Sequence, residues 1–190
     1  AIDAESLAVR NLSDDLFRRL AEKGGVACVN FAPALVSQAF ADAYPRLKAL
    51  APELAAHMEA LGAGHPDDVE GQRAEKARFL TAHGIPPATL EDVADHVEYI
   101  AGLAGWDGVG LGTDWEGTGG HHPRHLEDVS KIPLLTAELL RRGHGEAELR
   151  KVLGENMLRV LSQTQSAAAR QADEEPGIVV AQRVDFLATG

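Results

Sequence analysis

The chain has 190 residues, 45% of them hydrophobic and 5% aromatic, which is enough for one sizeable core but not for two. Its 18 basic and 29 acidic residues give a net charge of -11, which argues against binding to nucleic acid or anionic lipid. Small molecules or proteins are the expected partners. The single cysteine excludes an internal disulfide, and because it lies in an apolar run we expect Cys28 to be a buried, unreactive thiol.

No stretch of the sequence approaches the roughly 20 apolar residues that a membrane-spanning helix needs. The first five residues lack the basic and apolar regions of a signal peptide, which favours a cytoplasmic location. The chain also lacks a starting methionine, as processed or truncated chains do.

The first half of the chain predicts a helix, a buried strand and a long helical segment. Ser13 precedes two acids, and leucines then recur at helical spacing, so a helix begins after Ser13 and ends at Gly24. The apolar run at residues 26–31 is too short for a helix and predicts a buried strand. Residues 34–82 are rich in Ala, Leu, Glu and Arg, which predicts helices broken by prolines.

The second half repeats this order of elements. Thr89 and Asp92 have the spacing of a capping box, and the helix that they begin should end near Gly105. A strand is predicted at residues 108–113, and the glycine-rich residues 116–124 must form a loop. The alternation of helices with two separate strands is typical of a parallel α/β sheet.

Two further helices and a tail follow the loop. Asp128 should start the segment after the loop, and Ser130 is the predicted cap of a helix with Pro133 in its first turn. A last helix is predicted at residues 146–162, with a structural hydrogen bond from Asn156. We therefore predict one domain over residues 1–162 and a disordered or loosely docked tail over residues 163–190, in which residues 178–186 are a candidate edge strand.

Asp114 is the first candidate for a functional residue. It is a lone acid between glycines at the end of the second predicted strand, and in α/β folds ligands and catalytic groups collect beyond strand ends. The alternative is a carboxylate that only caps a turn.

A second candidate is the cluster His121, His122 and His125 in the glycine-rich loop, with Glu116 nearby. These residue types suggest a metal site and a self-sufficient enzyme. Adjacent histidines on a flexible loop rarely hold a metal, so a loop without a site is the favoured interpretation.

Four collinear segments resemble the C-terminal part of the membrane (renal) dipeptidase family, the zinc-dependent dipeptidases among the metal-dependent hydrolases. The resemblance covers about residues 10–161, and the helical segment between the strands resembles an insertion of bacterial members. The segments are residues 10–15 (RNLSDD), residues 24–31 (GGVACVNF), residues 92–100 (DVADHVEYI) leading to residues 110–117 (GLGTDWEG), and residues 126–131, 138–143 and 154–160 (LEDVSK, ELLRRG and GENMLRV).

The resemblance implies a helix-rich α/β fold, the last two strands and surrounding helices of a (β/α)8 TIM barrel. In the family, two zinc ions at the mouth of the barrel activate the water that attacks the dipeptide. By this likeness Asp114 is the catalytic acid that bonds the metal-bound water and handles its proton, and Arg10 binds the free carboxylate of the substrate. A carboxylate suits proton transfer, and a guanidinium suits bidentate carboxylate recognition.

The chain departs from the family in lacking the metal ligands, which in the family precede the position of Arg10. A complete barrel needs about 250 residues. We therefore expect no catalytic zinc and no hydrolysis by this chain alone, and we expect a missing N-terminal part or a partner chain to supply the ligands. The alternative is a non-catalytic remnant, or a subunit that completes the barrel of a partner chain.

Overall fold

Two parallel strands lie at the centre of the fold, as the sequence predicts. The computed structural model describes residues 11–64, 66–118 and 120–171. Strand β1 (Ala27–Asn30) pairs with strand β2 (Val109–Thr113), beginning at Ala27 opposite Val109. The register shifts after Val29, so that Asn30 lies opposite Thr113 and Gly112 is an extra residue.

Eight α-helices are described around this sheet, and they make the described part of the chain a helix-rich α/β structure. Most lie where the apolar periodicity predicts them. Their bounds are α1 (Asp14–Glu22), α2 (Pro33–Val36), α3 (Gln38–Gly64), α4 (Val69–Ala82), α5 (Leu90–Ala104), α6 (Ile132–Arg141), α7 (Glu146–Arg150) and α8 (Asn156–Arg170).

Helix α5 packs its apolar face against one face of the sheet. Its predicted capping box is present: Asp92 N donates to Thr89 Oγ1 at 3.3 Å, and Thr89 N donates to Asp92 Oδ2 at 2.8 Å. Val93 and Val97 on this helix are fully buried together with Val109 of β2. Burial of each such side chain stabilises the fold by about 1.5–3 kcal/mol, so this contact holds the sheet against α5.

The prediction of a buried Cys28 is wrong. Alternate residues of a strand point to opposite faces, so Ala27 and Val29 enter the core while Cys28 lies exposed on the other face. Its Sγ lies 3.5 Å from Met157 Sδ on α8. The sequence run is uniformly apolar, and this hides the alternation.

Helix α3 runs through both of its prolines, Pro45 and Pro52, whereas the sequence predicts breaks there. Both prolines are exposed. A helix tolerates a proline best where water bonds the carbonyl that loses its N–H partner. The apolar side of α3 contributes Phe40, Leu47 and Leu54 to a second core cluster, which Ile85, after α4, completes.

The C-terminal helices differ from the single predicted helix in two ways. Helix α7 ends in a π-helical turn, Lys151–Glu155, because Gly154 has backbone angles outside the helical region. Helix α8 then continues to Arg170, since its alanine-rich end favours helix although it lacks an apolar stripe. The predicted boundary at residue 162 falls within α8, and the candidate edge strand lies outside the described residues.

Asp128, not Ser130, caps the segment before α6. Ser130 donates to Asp128 Oδ1 from both its backbone N, at 2.9 Å, and its hydroxyl, at 2.6 Å. This cap begins a short 3-10 turn that leads into α6. In the ranges that the structure describes, no helix is both long and apolar enough to cross a membrane.

Candidate active site

The carboxyl ends of β1 and β2 bring Asn30 and Asp114 together. Asn30 Nδ2 donates to Asp114 Oδ2 at 2.9 Å, and Ala32 N donates to Asn30 Oδ1 at 2.7 Å. The second bond orients the amide so that its NH₂ group faces the carboxylate. Asn30 is not among the residues that the sequence singles out. In the sequence Asn30 is only a polar residue at the end of an apolar run. Such a residue indicates a functional site only when the two strands are known to be neighbours.

The backbone at the end of β2 is unusual. Asp114 has φ 63° and Thr113 has φ 30°, in the left-handed region that residues with a side chain seldom adopt. Such conformations concentrate at functional sites, where surrounding structure holds them. This turn directs the Asp114 carboxylate away from the strand axis and toward Asn30.

Gly117, three residues after Asp114, leaves space for the Asp114 carboxylate. A Cβ atom on Gly117 would lie 2.2 Å from Asp114 Oδ1, so a residue with a side chain would displace the carboxylate. Gly117 N also donates to Asp114 O at 3.0 Å, which closes the turn. The flanking glycine that marks Asp114 in the sequence therefore has a steric reason.

Trp115 fixes the loop that follows Asp114. Its Nε1 donates to Leu126 O at 2.9 Å, and its ring meets the ring of Phe31 edge to face, with the centroids 5.9 Å apart. Leu126 and Phe31 are fully buried. Trp115, the residue next to the candidate acid, is thus held against the core by a hydrogen bond and by a ring contact.

A cavity of about 600 Å³ opens beside Asn30 and Asp114. Thr118, Lys76 and His121 contribute polar atoms to its lining, and one side of α3 supplies most of the apolar part. Ligand sites in proteins are typically of this size, mostly apolar and with a few polar groups. The cavity therefore has the character of a small-molecule site with one carboxylate at its edge.

The histidine loop contributes to this cavity without forming a ligand cluster. His121 lines the cavity and packs against Phe40, with the ring centroids 6.1 Å apart. His122 Nδ1 instead contacts Thr118 Oγ1 at 3.2 Å. Within residues 11–64, 66–118 and 120–171, no group of three or more His, Cys, Asp or Glu side chains is arranged to hold a metal ion.

We expect the His121 ring to stay neutral until the pH falls to about 4. Burial, followed by the positive charges of Lys76 and His122, lowers the pKa of His121 to about 4. The unfolded chain then binds the proton first, so the stability due to neutral His121 is complete above about pH 6.5 and is lost as the pH falls toward 4. NMR titration of the ring measures this pKa directly.

The matched variant is His121→Gln, which should lose less unfolding free energy than the unchanged protein between pH 7 and pH 4.5. A His121 midpoint near pH 6.5, or equal losses in the two proteins, would contradict this prediction.

Arg10 lies outside the described residues, but the next residue is placed. Asn11 Nδ2 donates to Leu35 O at 3.0 Å, and Leu35 lines the cavity that contains Asp114. His96, on α5, does not line this cavity.

Residues 4–175 match the family model described as membrane dipeptidase, peptidase family M19. The chain belongs to this family. Dipeptidase aclJ of Aspergillus oryzae is 44% identical over 98 residues, which are 52% of this chain and 23% of that protein. Dipeptidase tcpJ of Claviceps purpurea is 40% identical over 93 residues, 49% of this chain and 22% of that protein. The chain thus spans about a quarter of the length of these relatives.

Solved structures of dipeptidases have a similar fold. The probable dipeptidase PvdM from Pseudomonas aeruginosa is 31% identical with a TM-score of 0.56, over 83% of this chain and 41% of that one. A metallo peptidase from Rhodobacter sphaeroides, solved with a phosphinate mimic of the dipeptide L-Ala-D-Ala, is 21% identical with a TM-score of 0.54, over 82% of this chain and 32% of that one. The latter likeness concerns the fold alone. The family resemblance of the sequence is confirmed.

Proposed function

We propose that this chain is the C-terminal part of a zinc-dependent dipeptidase with a (β/α)8 barrel, and that Asp114 is its catalytic acid. The observation that carries the proposal is the Asp114 carboxylate, held by an oriented Asn30 at the carboxyl edge of two parallel strands and opening on a cavity. Catalytic groups of such barrels come from this edge. Family membership supports dipeptides as the substrate class.

The sheet supports the barrel proposal. In the described ranges β1 and β2 pair only with each other, and one face of this pair carries the exposed Cys28. Parallel sheets normally have both faces covered and neighbours at their edges. Further strands, from residues outside the described ranges or from a partner chain, would complete the sheet.

Asp114 has a defined task in this proposal. Its carboxylate accepts a proton from the attacking water and returns it to the leaving amine, while Asn30 holds one of its oxygens in place. Arg10 pairs with the free carboxylate of the dipeptide, a role that the family resemblance implies and that a guanidinium suits.

Zinc does not fit the described residues, because they contain no ligand cluster. Bound zinc supplies Lewis-acid activation of water. In this proposal its ligands come from elsewhere in the assembled enzyme.

We expect the intact protein, supplied with Zn²⁺, to hydrolyse L-Ala-L-Ala, and we expect a chelator to abolish this activity until Zn²⁺ is restored. Release of free alanine is the measurement. The 190-residue chain, assayed alone under the same conditions, should be inactive because it lacks the ligands.

Hydrolysis that survives chelation would contradict the zinc dependence. Turnover by the 190-residue chain alone would contradict its role as part of a barrel, and failure of the intact protein on a panel of dipeptides would contradict the dipeptidase proposal as a whole.

A further inference from the structure

One face of helix α3 forms the long wall of the cavity that contains Asp114. The residues of this wall recur at intervals of three or four, so they lie in one stripe along the helix. They are Tyr44, Leu47, Ala51, Leu54, Ala55 and Met58.

The α3 wall is accessible from the cavity. Leu47 and Leu54 are buried and anchor α3, whereas Ala51 and Ala55 are exposed and small, which leaves space between the helix and the strand ends. A side chain that extends from a reacting centre at Asp114 would lie along this stripe. The cavity, at about 600 Å³, has room for a larger group than a methyl.

Charges around the wall disfavour a cationic side chain. Lys48 Nζ lies 5.2 Å from the centre of the Tyr44 ring, and Lys76 Nζ donates to Gly120 O at 3.1 Å. Asp114 is the sole carboxylate among the described lining residues. His121, with its lowered pKa, adds a neutral ring at pH 7. A cationic side chain would meet two ammonium groups, whereas an apolar one can be buried against the stripe without losing hydrogen bonds to water.

We propose that the α3 wall is the subsite for a bulky apolar side chain of the substrate, so that dipeptides with Phe or Leu are the preferred class. This inference rests on the proposed function, because it takes Asp114 as the reacting end of the cavity. Apolar pockets of this kind discriminate by size more than by shape, since each buried methylene adds to binding.

The first test compares substrates of the intact protein. We expect kcat/KM for L-Phe-L-Ala or L-Ala-L-Phe to exceed that for L-Ala-L-Ala by about tenfold to a hundredfold. Dipeptides with Lys in the same position should fall below the Phe substrates. Equal values for Phe, Ala and Lys dipeptides would overturn the inference and leave the dipeptidase proposal intact.

The second test fills the subsite. Ala55→Phe places a ring in the cavity, and we expect it to lower kcat/KM for the Phe dipeptide far more than kcat/KM for L-Ala-L-Ala, so that most of the preference is lost. Ala56→Phe is the matched control, because Ala56 is also exposed on α3 but does not line the cavity. Circular dichroism checks that both variants are folded.

The outcomes separate the two proposals. Loss of the preference in Ala55→Phe alone supports the subsite. Equal effects of the two substitutions on every substrate overturn it. No hydrolysis of any dipeptide by the unchanged protein overturns the subsite and the proposed function together.

Discussion

Replacement of Asp114 by asparagine should lower kcat for dipeptide hydrolysis by about 10²- to 10⁴-fold, the range that a general acid–base group contributes. Asparagine has nearly the same shape, and its side-chain oxygen can still accept from Asn30 Nδ2, which lies 2.9 Å from Asp114 Oδ2. The substitution therefore removes the proton acceptor with little change to the cavity. KM should change little, because the loss falls on the transition state.

Steady-state kinetics of the intact protein with L-Ala-L-Ala measures this effect. Asp107→Asn is the control: Asp107 precedes the same strand, is 71% exposed in its side chain and pairs with Lys151 at 3.0 Å, away from the cavity. An unchanged kcat in the Asp114 variant would contradict the assignment of Asp114 as the catalytic acid. An equal fall in the Asp107 variant would indicate a general disturbance of the strand.

Replacement of Asn156 by aspartate should destabilise the fold strongly, and by more than replacement by alanine. Asn156 is 2% exposed, and its Nδ2 donates to Trp106 O at 2.7 Å and to Val109 O at 2.8 Å. Asn156→Ala removes the donor from one buried carbonyl, Val109 O, and one partly buried carbonyl, Trp106 O, which should lower the unfolding free energy by about 2–4 kcal/mol. A carboxylate at position 156 is also repelled by both of these carbonyl oxygens. The loss of unfolding free energy at pH 7 should therefore be larger in Asn156→Asp than in Asn156→Ala.

Urea unfolding of the two Asn156 variants measures these losses. Gln163→Glu introduces the same charge at an exposed position of the same helix, and it should stay within about 0.5 kcal/mol of the unchanged protein. If Asn156→Asp is no less stable than Asn156→Ala, the two hydrogen bonds do not have the role given to them.

The local pattern of the sequence was sufficient for most elements. The strands follow from short apolar runs bounded by glycine or proline, and α5 follows from its capping box. The glycines around Asp114 single it out in the sequence, and Gly117 leaves space for its carboxylate.

The features that the sequence did not predict depend on contacts between distant residues. Asn30 and Asp114 are 84 positions apart, and neither residue indicates the other until the strands pair. Cys28 is exposed because it lies on the second face of the sheet, where Met157 of α8 contacts it without burying it. Pro45 and Pro52 are compatible with α3 because they lie on its exposed side, which only the packing of that helix decides.

The register shift between the two strands sets a limit on changes in chain length. Because Gly112 is an extra residue opposite β1, Asn30 lies level with Thr113, next to Asp114. Loss of one residue here would restore a regular ladder and turn the following side chain to the opposite face. Natural variants of this protein should therefore exchange residues near the shift more readily than they gain or lose them.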